Sequence, residues 1–134
     1  GIQAPLLGGD GWDSPKLLEI GGKAFEGSYF SNHYSSEDQS PIVQNYIKSY
    51  RAAYGAVPDG LSAAGYDAAK ILADAMNRAA SLDRAAIRDS LATTKDYSAV
   101  TGRISIDANR NAVKSAVVLK ISGGAFKYQS TINP

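Results

Sequence analysis

A short apolar run, Ala4 to Gly9 (APLLGG), is followed five residues later by a helix start at Ser14–Pro15. No other feature restricts the fold of this chain as strongly. An apolar run ending in glycines reads as a buried strand with parallel partners. Ser14 offers a hydroxyl to the free amides of a helix. Pro15, at the first helical position, gives up an N–H that has no partner there. A parallel strand needs a crossover connection and neighbours that cover both faces.

The pattern continues as α/β. The helix PKLLEIGG is short and stops at Gly21–Gly22. Lys23 to Ser35 is rich in aromatics and reads as a second strand, alone or with a crossing segment. Ser40–Pro41 repeats the helix-start device. Ile42, Val43, Tyr46, Ile47, Tyr50 and Tyr54 then recur at helical spacing up to Gly55, and core packing accounts for the tyrosine face. A second long helix begins near Leu61, with Leu61, Ala64, Ala68, Ile71, Leu72, Ala75, Met76 and Ala79 as its inner stripe. Asp83 is expected to cap a third, which buries Ala86, Ile87 and Leu91. Val100, Ile104 and Ile106 alternate with polar neighbours as a half-exposed strand. Ala116–Ile121 and the alternation Phe126, Tyr128, Ser130, Ile132 flank Gly123–Gly124 as a hairpin. The order is β-α-β, three helices, then three strands. The first strand finds few parallel neighbours within this chain. They are expected from another chain or from sequence upstream of Gly1.

Length and charge remove several classes. The 134 residues fit one ordinary domain. Fourteen basic and 13 acidic residues leave a net charge of +1, with no clustered basic field for nucleic acid. No apolar run reaches the roughly eighteen residues that a membrane span requires. No charged-then-apolar leader is visible, and a first residue Gly1 suggests processing or a piece of a longer protein. Cysteine is absent, which removes disulfides, thiol catalysis and Cys-rich zinc sites. The lone His33 leaves little room for a histidine metal cluster, and no cofactor or enzymatic activity is expected. His33 lies between Asn32 and Tyr34 with no serine partner in a strained turn, and reads as a hydrogen-bonded structural residue. Asp107–Asn111 (DANRN) partly matches a calcium loop. Ala112 stands where that loop needs glycine and Val118 where it needs glutamate, so a polar turn is the expectation.

The stretch GGDGWDS, Gly8 to Ser14, carries the candidate chemistry. Its glycines suit a phosphate cradle, but Asp10 and Asp13 would repel a phosphate. A carboxylate beyond the end of a parallel strand suits a cation, such as an ammonium. Trp12 could wall such a site and add cation–π attraction. A second reading stays open: Asp10 ties down the turn and Trp12 is core. Asp13, directly before Ser14–Pro15, reads as structural, capping amides at that helix start.

PLLGGDGWDSPKL, FEGSYFSNHYS, VQNYIKSYRAAYGAVPDGLSAAGYDAAKILADA and VTGRISIDANRNAVKSAVVLKI occur in that order. Together they resemble the C-terminal part of the branched-chain amino-acid (Leu/Ile/Val-type) substrate-binding proteins of bacterial ABC transporters. The resemblance spans essentially the whole chain, and the YG-x-x-P-D turn, GYDAAK and TG-x-I-x-ID-x-N are its specific parts. It implies the type I periplasmic binding fold, two α/β lobes joined by three crossings. Residues 1–31 would end the second lobe, 32–114 would complete the first lobe, and 115–134 would return to the second lobe as a hairpin. It implies that Asp10 meets the α-ammonium of an amino acid, with Trp12 lining the pocket and Leu61 near the ligand's side chain. The carboxylate-gripping residues would lie upstream. An ABC permease is the implied partner and a periplasmic or extracytoplasmic location the implied setting. A sensory module of the same fold, or a fragment folded only as a homodimer, remain alternatives.

Overall fold

The computed structural model describes all 134 residues. Its elements are β1 (Leu7–Gly8), α1 (Pro15–Gly21), β2 (Tyr29–Asn32), α2 (Pro41–Tyr54), α3 (Gly60–Arg78), α4 (Arg84–Ala92), β3 (Tyr97–Ala99), β4 (Gly102–Ile106), β5 (Ala112–Val113), β6 (Ala116–Ser122) and β7 (Ala125–Ile132). Two sheets form, ordered β1-β2-β6-β7 and β3-β4-β5. β1 and β2 are parallel, and every other pairing is antiparallel.

Local chemistry sets most boundaries. The Ser14 hydroxyl accepts from the Lys16 amide at 3.2 Å, and Pro15 opens α1. Pro41 opens α2, and the N–H of Gly55 closes it on the Arg51 carbonyl. Asp59 caps α3 through Ser62 N at 2.7 Å. Arg78, near the end of α3, binds the Ser90 carbonyl and the Thr93 and Thr94 hydroxyls, fastening α3 to the end of α4. Gly123 and Gly124 both have positive φ (61° and 70°), which a tight two-residue hairpin turn requires. Opposite the step from Val118 to Leu119, β7 carries one extra residue, Gln129. The faces of its two halves therefore switch.

The interior is divided. Phe30, Leu119 and Ile121 pack with Trp12, Leu17, Phe25 and Phe126 around the first sheet. Tyr34, Val43, Tyr46, Ile47, Ala63 and Val100 join α2 to α3, and Ile71, Ala99 and Ile104 join α3 to the second sheet. The accessible surface is 8591 Å². A compact protein of this mass, 14.1 kDa, exposes about 6700 Å². Small separate cores leave apolar faces open.

Several expectations need correcting. The first strand is only two residues long and lies at a sheet edge, with Leu7 81% exposed rather than buried. The buried stripe of α3 is Gly60, Ala63, Asp67, Ile71 and Ala75, while Leu61, Ala68, Leu72 and Met76 face solvent. The apolar pattern admitted two adjacent faces, and the stripe that Ile71 and Ala75 share with Ala63 won. Asp83 stands at the N-cap of α4, but its carboxylate takes the Ser81 hydroxyl instead of a helix amide. Tyr46 is buried, yet Tyr54, the last residue of α2, is 71% exposed. Five strands follow the helices instead of three: the short β3 and β5 flank β4 without a strong apolar run of their own. DANRN is a polar turn, in which the Asp107 carboxylate accepts from the amides of Asn109 and Asn111.

Candidate functional site

Because β1 and β2 are parallel, their C-terminal ends lie side by side. The loop after β1 therefore meets the chain leaving β2. Asp10–Trp12 forms one 3-10 turn in that loop, closed by Trp12 N to Gly9 O at 3.0 Å and Asp13 N to Asp10 O at 3.0 Å. Its carboxylates join successive residues at the end of β2. Asp10 Oδ2 lies 2.9 Å from His33 Nε2, and Asp13 Oδ2 accepts from Asn32 Nδ2 at 2.9 Å. Asn32 Oδ1 in turn accepts from the His33 amide at 2.8 Å.

The two aspartates differ in exposure and partners. Asp13 also accepts from Gly60 N at 2.6 Å, so it caps α3 and not the helix that follows it in sequence. Gly60 is buried, and a Cβ there would stand 2.3 Å from Asn32 Oδ1. Asp10 keeps about half of its side chain in solvent, at 52% exposure. Its Oδ2 has His33, and its Oδ1 makes no hydrogen bond.

Trp12 points inward. Its indole meets Phe25 edge-on at 5.2 Å between ring centres and Phe30 at 6.4 Å. It lies against Gly8, where a Cβ would fall 2.2 Å from the ring. The ring thus anchors the loop, and only its half-exposed remainder can border a ligand. Leu61 follows the Gly60 amide that Asp13 holds and is 63% exposed.

Sequence reasoning missed the groups that tie the crossing segments together. Asp67, 2% exposed in the middle of α3, accepts from Val100 N at 2.9 Å and Thr101 N at 2.8 Å. Lys114 donates to the carbonyls of His33, Thr101 and Ser115 at 3.1–3.4 Å. Burial holds its ammonium below the ordinary lysine range, with Asp67 partly offsetting this. A cleft of about 360 Å³ opens beside these segments, bordered by His33, Ser35, Thr101, Ser115 and Tyr128. Asp10 and Trp12 do not line it. The only legible trace of this cluster was Asp67, a carboxylate four residues from both Ala63 and Ile71 and so on the same helix face as these apolar residues.

The loop that carries Asp10 lies beyond the C-terminal ends of two parallel strands, where ligands of open α/β sheets bind. The chain belongs to the periplasmic binding protein family, which matches residues 1–125. Its fold is that of the type I binding proteins. A leucine-binding protein, LivK, from Thermotoga maritima is 39% identical with a TM-score of 0.90, over 100% of this chain and 39% of its own length. LivJ from Streptococcus pneumoniae, solved with isoleucine, is 30% identical with a TM-score of 0.86, over 100% of this chain and 38% of its own. A solute-binding protein from R. palustris in complex with benzoate is 26% identical with a TM-score of 0.78, over 97% and 36%. The chain therefore spans under two fifths of the length of these structures. No match is found among curated proteins.

Proposed function

We propose that this chain is part of a two-lobed extracytoplasmic protein that captures an amino acid and presents it to an ABC permease. The exposed Asp10 carboxylate carries the reading, with its free Oδ1 beyond the parallel strand ends. An ammonium there gains Coulomb attraction and a charge-assisted hydrogen bond, and both strengthen when lobe closure removes water. Trp12 sets the height of the loop by packing below it. The division at 1–31, 32–114 and 115–134 is supported by the sheets. β1, β2, β6 and β7 draw on the first and last segments, and β3–β5 on the middle one. Binding is the whole of the chemistry: no bond is made, and ligand affinity for the closed arrangement drives the change of state.

The test is calorimetry with leucine and isoleucine on the full-length protein that contains this sequence. Asp10→Ala is expected to weaken binding at least about tenfold. Unchanged affinity sinks the ammonium reading. The benzoate-bound relative favours a second reading, a carboxylate solute without an ammonium. Under it, Asp10→Ala leaves affinity unchanged or improves it, because the loop loses a repelling charge.

A further inference from the structure

The Asp10–His33 contact is exposed on both sides, at 52% and 34%. A pair so open contributes little to stability. Yet His33 is held at three points. Its N–H donates to Asn32 Oδ1 at 2.8 Å, its carbonyl accepts from Lys114 at 3.4 Å, and its Nε2 meets Asp10 at 2.9 Å. Asn32 is itself held by Asp13, which is tied to α3. The imidazole is therefore placed by a chain of contacts that reaches the second sheet's side of the molecule, and it fixes a carboxylate that would otherwise turn freely on its loop.

We propose that His33 is the positioning residue for ammonium recognition, holding Asp10 by one oxygen so that the other is presented to a ligand cation. An ionised carboxylate only accepts hydrogen bonds, so Nε2 carries the proton that it shares with Asp10. The residue type matters. An imidazole donates without carrying a permanent charge of its own. A lysine or arginine in its place would make the same contact but bring a permanent charge, which competes with the ligand's ammonium for Asp10. The geometry thus pairs the ligand-binding carboxylate with a donor that orients it and carries no permanent charge. The inference rests on the amino-acid reading above and adds a residue and a charge rule to it.

The experiment measures leucine and isoleucine binding to the full-length protein in a single buffer throughout. Four variants are compared: Asp10→Asn, His33→Ala, His33→Gln and His33→Arg. Loss of the orienting hydrogen bond in His33→Ala is expected to weaken binding about three- to tenfold. His33→Gln keeps an uncharged donor at similar reach and is expected to restore most of the affinity. His33→Arg keeps the contact but is expected to bind at least as weakly as His33→Ala. Thermal midpoints within about a degree of wild type are expected for all three, since the pair is exposed. Binding by His33→Ala within twofold of wild type overturns the proposal. So does His33→Arg that binds like wild type, or His33→Gln that binds no better than His33→Ala. Asp10→Asn that binds like wild type, or a wild-type protein that binds neither amino acid, overturns the function itself. Loss in Asp10→Asn with no effect at His33 overturns the positioning role alone.

Discussion

The Asp13 carboxylate accepts a hydrogen bond from the amide of Gly60 at 2.6 Å, across 47 positions of sequence. That contact joins the loop after β1 to the first turn of α3, so the loop is mechanically tied to the helical unit. Asp13→Ala leaves the Gly60 N–H and the Asn32 amide without their acceptor. A loss of about 1–3 kcal/mol in urea unfolding is expected. Gly60→Ala forces a Cβ against Asn32 Oδ1 and should cost about 1–3 kcal/mol as well. A wild-type midpoint in either variant would show that the junction carries no strain or bonding of consequence.

Asp67 ties the middle of α3 to the turn between β3 and β4. With both oxygens engaged by Val100 N and Thr101 N, Asp67→Ala strands two buried amides. The expected destabilisation is about 2–4 kcal/mol, larger than for any exposed aspartate of α3 or α4. Asp67→Asn keeps one acceptor oxygen and should lie between this and wild type. Urea unfolding of the two variants side by side provides the check.

Lys114 bridges three backbone carbonyls at the crossing segments. Lys114→Met preserves the apolar stem and removes the donors. Amide hydrogen exchange should then quicken around residues 33–35 and 114–116 before the global stability falls. Exchange that rises only in step with global unfolding would show that the lysine does not tie these crossings locally.

Alkaline stability should depend on Tyr34. Its hydroxyl donates to the Pro58 carbonyl, and burial, reinforced by Asp13, pushes its ionisation well above the ordinary tyrosine range. In the unfolded chain the phenol ionises near pH 10. Above that pH the unfolded state releases a proton that the native state keeps. Stability from this group is therefore intact below about pH 10 and declines as pH rises beyond it. Tyr46, also raised by burial, adds in the same direction. Urea midpoints between about pH 8 and pH 11 should fall less steeply in Tyr34→Phe than in wild type.

Isolated, these 134 residues should self-associate. β1 lies at an open sheet edge, and Ile2, Leu7 and Leu61 are 82%, 81% and 63% exposed. Unpaired edges with apolar flanks recruit other chains. Light scattering is expected to give a dimer or larger species, and Leu7→Lys to shift it toward monomer. A wild-type monomer at high concentration would count against this.

Much of the fold was legible because it is written in neighbouring residues. Ser14–Pro15, Pro41 with Gly55, and Gly123–Gly124 each act within a turn of themselves, and each lies where its local chemistry demands. The inner stripe of α3 was not legible. Leu61 and Leu72 are as apolar as Ile71, and periodicity cannot tell which of two adjacent faces meets a neighbour.

Asp10 follows the same division. The sequence alone determined that a carboxylate would stand in a glycine loop after a strand and before a helix, where it would repel a phosphate. Only the tertiary structure decided what each group there does. The parallel register of Leu7 with Tyr29 brings His33 to Asp10, Asn32 to Asp13, and through Asp13 the start of α3. Trp12, which its place two residues after Asp10 offered as a pocket wall, turns toward Phe25 and Phe30 because Gly8 leaves room for its ring. Contacts of this kind depend on separations of 19 to 47 residues closed by folding. No local pattern encodes them.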